Sequence, residues 1–349
     1  VTRAFAVPTG DTMDVINLVI STVVLAVVAV IFGPIFIGIE RKIQARIQQR
    51  IGPPILTPGN WSILKFWFKK PFAPNSPMPR LYHALPPLTV LIILFVVWLT
   101  TPEWWGILSL GTVVAIVGIM KFEEFVYVIM GSLSRSVLSV SMPYDDLAKG
   151  AVIKGKTRRF IEGQSAVRFI KHITIASFPI YVGIFIPVVL AESIFIEDIV
   201  GFQGTFLSLK PILFTIPGFI GAVVYFVGYV SQLNDYPFSI AKAKGDIIEG
   251  GPLEYGAHAR GNYYIQRGVW MFVLSSLFVT LFMGIPPVVN FTSWMGVSQL
   301  IVHVVLAFVL PVLTAILSAF GPILTFKQLY PVSFGFTAIG IFGIIIALW

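Results

Sequence analysis

The chain has 349 residues, of which 56% are hydrophobic and 11% charged, and its mean hydropathy is +0.89. A soluble globular domain carries roughly 25% charged residues, so this composition excludes a soluble fold and requires several membrane spans. The net charge of +8 reports loop orientation in such a chain rather than nucleic acid, and the absence of cysteine excludes thiol catalysis, disulfides and iron–sulfur ligation by this chain.

The amino-terminal 14 residues hold one Arg and no apolar core, so no cleavable signal is expected. Residues 15–39 form an apolar run long enough to cross a bilayer at about 1.5 Å per residue. ERKIQARIQQRIGP follows at 40–53, and then WSILKFWFKK at 61–70, whose mixed Trp, Phe and Lys predict a helix lying in the membrane interface. Residues 86–101 predict the second span, closed by a Trp pair at the boundary.

The third span is expected over 106–131, with Lys121, Glu123 and Glu124 in its second half. At about 2.5–3.5 kcal/mol per central charge, three charges offset most of the gain from the apolar neighbours, so this helix must face protein or water. Intramembrane carboxylates of this kind mark ion paths, and a structural ion pair with Lys121 is the competing reading. Residues 132–171 mix apolar residues with Asp145, Asp146 and the basic run KGKTRR. The two aspartates read equally as pathway acids or as solvated loop. Further spans are expected at 172–191, 211–230, 268–289, 300–324 and 331–349, about eight in all, with residues 231–262 left as a polar passage between apolar segments.

Charge counting supports this total. With eight spans, the segments 40–81, 132–171, 231–267 and 325–330 share one side and hold 21 of the 24 Lys and Arg residues. The positive-inside rule makes that side cytoplasmic. The expectation is therefore an all-α integral membrane protein: one polytopic domain over 1–349, with tilted helices, an interfacial amphipathic helix and large cytoplasmic loops. The four histidines (His83, His172, His258, His303) show no helical ligand spacing, so no metal site is expected, and His258 and His303 read as packing residues.

The order of residues adds a resemblance. ERKIQARIQQRIGP at 40–53, PPLTVLIILFVVW at 86–98, IEDIVGFQ at 196–203, QLNDYPFSIAKAKGDIIEGGPLEYGA at 232–257 and, more weakly, FKQLYPVSFGF at 326–336 together resemble the H-subunit (subunit 1) family of respiratory complex I. That family's relatives are the membrane-bound hydrogenases and the ferredoxin-linked sulfur reductases. The resemblance implies a membrane-anchor subunit without chemistry of its own. It would dock an iron–sulfur peripheral arm and relay redox energy to ion-pumping subunits. Implied partners are peripheral iron–sulfur and hydrogenase-like catalytic subunits, antiporter-like membrane subunits and the lipid bilayer, in the plasma membrane of a prokaryote. No cofactor is expected on this chain; iron–sulfur clusters, and a Ni-Fe site in some members, would belong to partners.

The resemblance also assigns residues. Docking of the arm is expected at Glu40, Arg41, Lys42, Arg46, Arg50, Lys242, Lys244 and Arg260, with the loop acids Asp235, Asp246, Glu249 and Glu254 beside it on the ion path; the family's usual glutamate near 175–178 has no counterpart here, so Glu123, Glu124, Asp145 and Asp146 join that path on their own charge and not through the resemblance. Matching Pro237-Phe238 to the family's Pro-Phe puts Gln232 where an acid is usual, Asp235 where an arginine is usual and Ser239 where an aspartate is usual. Lys242 and Lys244 replace two glutamates, Asp246 keeps the third acidic position, and Glu254-Tyr255 is kept. These rewritten charges favour a hydrogenase or sulfur-reductase type of complex over one that binds quinone. A stand-alone secondary transporter is the reading from another class, and no internal repeat supports it.

Overall fold

The structure, a computed structural model, describes residues 12–71, 76–108, 111–134, 170, 172, 174–240, 255–289 and 294–349. Among these residues there are twelve α-helices and no strand beyond one antiparallel bridge between Thr112 and Phe195. The protein is an all-α membrane protein. Among the described residues five stretches are long and apolar enough to cross a membrane: Val15–Ile47, Pro79–Leu99, Ala257–Met283, Trp294–Phe320 and Lys327–Ala347. The other three expected spans correspond to two shorter apolar helices, Phe178–Leu190 and Ile216–Gln232, and to Val113–Leu133 with its three charges.

Several boundaries differ from expectation, each for a local reason. Helix α1 (Thr12–Ile47) continues eight residues past the expected end at Ile39, so much of the basic signature is helix rather than loop. The chain then makes a π-helical turn at Thr57–Trp61 and the short helix α2 (Ser62–Trp67). Trp61, Leu64, Trp67 and Phe68 remain exposed there, as an interface helix requires. Helix α3 is Pro79–Leu99, with proline at its start where no amide is needed.

The expected third span is divided into α4 (Pro102–Leu108) and α5 (Val113–Leu133). Thr112 caps α5 through its side chain to the Ala115 amide. The connector is stitched to the segment 194–196, with Val113 N donating to Ile194 O and Ile196 N to Gly111 O, both at 2.9 Å.

The expected fourth span is interrupted: residues 170, 172, 174 and 175 are helical, a turn follows at Ala176 and Ser177, and helix α6 (Phe178–Leu190) begins after it, because Pro179 fits a helix start and not an interior. Helix α7 is Ile196–Gln203, and α8 is Ile216–Gln232, entered from a 3-10 turn at Ile212–Phe214. Helix α9 (Ala257–Met283) begins eleven residues before the expected sixth span. The end of the polar passage is thus helical. Gly284, at φ 69, ends α9 in the left-handed conformation that glycine tolerates.

The seventh span is broken at Phe308 into α10 (Trp294–Ala307) and α11 (Val309–Phe320). Pro311 lacks the amide that would bond Ala307 and crowds its carbonyl, which accounts for the break. Helix α12 is Phe326–Ala347, begun by a capping box between Thr325 and Gln328.

Two packing groups meet at the centre. Helices α6, α8 and α12 pack on one another, while α9 lies against α1, α3 and α2 and α11 packs on α1. At the α1–α9 crossing a Cβ on Gly33 would overlap the Gly268 carbonyl, and one on Gly268 would overlap Pro34. These backbones approach as small residues permit in membrane bundles. Helix α5 lies on α3 and also touches α6, which carries its acids to the seam between the two groups.

Candidate functional site

Glu123 and Glu124 are consecutive on α5, so their side chains diverge by about 100° around the helix and enter different interfaces. Glu124 is 2% exposed. It accepts hydrogen bonds from Lys121 Nζ at 2.8 Å, from Tyr181 OH of α6 at 3.0 Å and from Gln232 Nε2 at the end of α8. Lys121 also donates to Ser177 Oγ at 2.9 Å and sits 4.4 Å from the centre of the Tyr181 ring. Three donors on one carboxylate satisfy it as a buried charge requires. The competing reading, an ion pair with Lys121, is therefore realised at Glu124.

Glu123, also buried, takes a different partner. It receives Gln266 Nε2 of α9 at 3.4 Å, a long contact, and borders a cavity of about 30 Å³ lined also by Gln232, Asn234, Arg267 and Trp270. One residue beyond Gln266, Arg267 Nη2 pairs with Asp235 Oδ1 at 2.5 Å. Asp235 stands in the turn after α8. That turn is shaped by Asn234 at φ 52, by Asp235 N donating to Val230 O at 3.2 Å and by Phe238 N donating to Asp235 O at 2.8 Å. From α11, Ser318 Oγ donates to Tyr236 O at 3.0 Å and holds the turn in place.

The residues assigned to docking divide in two. Arg41, Arg46 and Arg50 are exposed. Lys42 is half-buried and donates to Ile51 O at 3.0 Å, and Arg260 lies over the rings of Tyr263 and Tyr264 at 5.7 and 5.3 Å. Glu40, by contrast, is 5% exposed and faces inward. It accepts from Gln44 at 2.9 Å and feels the charges of Asp235 and Arg267. Asp145, Asp146, Lys242, Lys244, Asp246, Glu249 and Glu254 lie outside the described residues.

The retained Tyr255 is buried, stacked on Tyr82 with ring centres 4.2 Å apart, and donates to the Tyr82 carbonyl at 2.8 Å. Burial, with Tyr82 and Tyr263 beside it, pushes its phenol well above the usual range, so it stays neutral. His303 engages Ser276 Oγ at 2.8 Å and Ile285 O at 2.7 Å through its two ring nitrogens, as a packing histidine does. Among the described residues no group of three His, Asp or Glu side chains is arranged to hold a metal ion.

Sequence reasoning does not find Tyr181, Gln266 or Arg267. In the charge count Arg267 is only one more loop cation. The signal for Gln266 and Arg267 is their position at the head of an apolar run, where a polar pair has to be satisfied by protein.

A family model described as NADH dehydrogenase matches residues 19–141 and 163–348. An uncharacterized protein of Methanocaldococcus jannaschii is 40% identical over 298 residues, covering 85% of this chain and 88% of that protein. The H-subunit of the NADH-quinone oxidoreductase of Geobacillus thermodenitrificans is 28% identical over 109 residues, 31% of this chain and 30% of that one. Among solved structures, a chain of the membrane-bound sulfane sulfur reductase, an archaeal respiratory membrane complex, superposes with a TM-score of 0.76 at 22% identity, covering 95% of this chain and 99% of that one. At that identity the likeness is one of fold.

Proposed function

This chain belongs to the NADH dehydrogenase family, which includes the H-subunit of NADH-quinone oxidoreductase, and on that premise we propose that it is the membrane-anchor and coupling subunit of a complex-I-like, ion-translocating oxidoreductase of the hydrogenase or sulfur-reductase type. The observation that carries this reading is the buried polar seam. Tyr181–Glu124–Gln232, Glu123–Gln266 and Asp235–Arg267 bring the ends and faces of α5, α6, α8 and α9 together inside a bundle of membrane spans. Charges in such a position are expensive and serve ion paths.

In this reading Glu124 is the fixed charge that holds α5, α6 and α8 in register, and Glu123 is the exchangeable one. Asp235–Arg267 and the inward-facing Glu40 sit at the end of the seam nearest the basic signature at 41–50. Electron transfer in a docked peripheral arm changes the field at that end, and the seam passes the change to Glu123 and on to neighbouring membrane subunits. Arg41, Arg46, Arg50 and Arg260 form the docking side, with the polar loops cytoplasmic. The sulfur-reductase type is favoured by the fold likeness and by the rewritten charges at Gln232 and Asp235. The cavity beside Glu123, at about 30 Å³, has room for water.

Affinity purification of the native complex through a tag on this chain tests the reading. Iron–sulfur subunits and antiporter-like subunits are expected to co-purify, with sulfane sulfur or protons accepted as oxidant. Recovery of the chain alone, with ion flux in liposomes, would instead establish a stand-alone transporter.

A further inference from the structure

Four residues lining the cavity beside Glu123 carry buried polar atoms that no group among the described residues satisfies: Asn234 Oδ1, Gln266 Oε1, Arg267 Nε and Trp270 Nε1. Asn234, Gln266 and Trp270 are 4%, 3% and 4% exposed. Each unmet group of this kind costs about 1–3 kcal/mol, so four around one cavity mark a site that takes a polar ligand.

The chemistry of the wall limits what that ligand is. Arg267 and the donor-only indole of Trp270 disfavour a metal cation, and Glu123 disfavours an anion. A water molecule needs roughly 10–15 Å³ and two to four polar partners, and the cavity holds about 30 Å³. We propose that this cavity is a built site for two water molecules that joins Glu123 to the Asp235–Arg267 pair.

Two waters meet these four atoms. Two waters offer four O–H groups. One joins the waters to each other, two serve Asn234 Oδ1 and Gln266 Oε1, and the fourth reaches the Glu123 carboxylate. The remaining lone pairs receive Arg267 Nε–H and Trp270 Nε1–H. Glu123 is thereby tied through water to the guanidinium whose Nη2 holds Asp235, and a disturbance of that ion pair is felt at Glu123. The use of this link in coupling rests on the ion-path reading above; the water site does not.

High-resolution electron microscopy of the native complex tests it, comparing wild type with Asn234→Leu/Gln266→Leu and with Trp270→Phe. Two ordered waters are expected in the wild type. Both should be lost in the double variant, and the one beside the indole in Trp270→Phe, which keeps the site readable should the double variant fail to assemble. A dry cavity, density coordinated as a cation, or waters unchanged in the variants would overturn the proposal. Ion translocation per electron is expected to fall roughly tenfold with the waters, a coupling change of the size that internal networks carry. Loss of the waters with translocation unchanged would remove the ion-path reading and leave the water site standing.

Discussion

A carboxylate held by three donors and one reached by a long amide contact respond differently to loss of charge. Glu124→Gln strips Lys121 of its anion and turns an acceptor toward Tyr181 and Gln232 into a donor. It is expected to lower the stability of the complex by about 2 kcal/mol, the scale of a charge-assisted bond, read as an earlier thermal unfolding. Glu123→Gln keeps the size and one acceptor oxygen and leaves the Lys121–Glu124 pair in place, so its melting should fall less than that of Glu124→Gln. The Asp235–Arg267 pair has a different signature. Arg267→Met leaves Asp235, 7% exposed, as an uncompensated buried charge at a cost of about 3–5 kcal/mol, whereas Asp235→Leu/Arg267→Met should recover most of that loss. Recovery absent from the double variant would show that the pair is not an isolated electrostatic unit. At this scale the two glutamates are legible in the sequence because three charges in an apolar run have no cheap lipid-facing solution. Tyr181 and Gln266 are not, since the partners lie 57 and 143 positions away from the acids they serve, and nothing local in the chain announces such a pairing.

Hydropathy finds a helix where its residues are apolar and overlooks it where polar residues are satisfied by protein, and α9 shows both. Its second half reads as a span. Its first half, AHARGNYYIQR at 257–267, reads as loop because its polar residues resemble solvent-facing ones. In the fold that half is covered by α2 and by the seam, and 89% of the most apolar window of α9 is buried. The breaks before α6 and between α10 and α11 have a legible cause in Pro179 and Pro311, yet the apolar runs around them are continuous, so composition joins what backbone chemistry separates. The α1–α9 crossing gives a test at this scale. Gly268→Leu places a side chain against Gly33 and Pro34 and is expected to force the helices apart, with the complex failing to assemble. Gly118→Leu on α5, where an added Cβ meets nothing within 4 Å, should leave assembly intact. Equal behaviour of the two variants in a size-exclusion profile would refute close backbone packing as the basis of the crossing.

As a whole molecule the chain is a membrane bundle, and the proposed placing of its basic loops on one side is open to direct test because the sequence has no cysteine. Single cysteines in place of Arg50 and of Leu207, which is 79% exposed, should label from opposite faces of sealed vesicles, Arg50→Cys from the cytoplasmic face. Labelling of both from one face would break the eight-span arrangement. The coupling role is tested most directly by the number of ions moved per electron transferred, measured with the purified native complex in liposomes, wild type against Glu123→Gln. Electron transfer to the acceptor should persist in the variant while ion movement falls at least roughly tenfold. An unchanged ion-to-electron ratio would contradict coupling through Glu123.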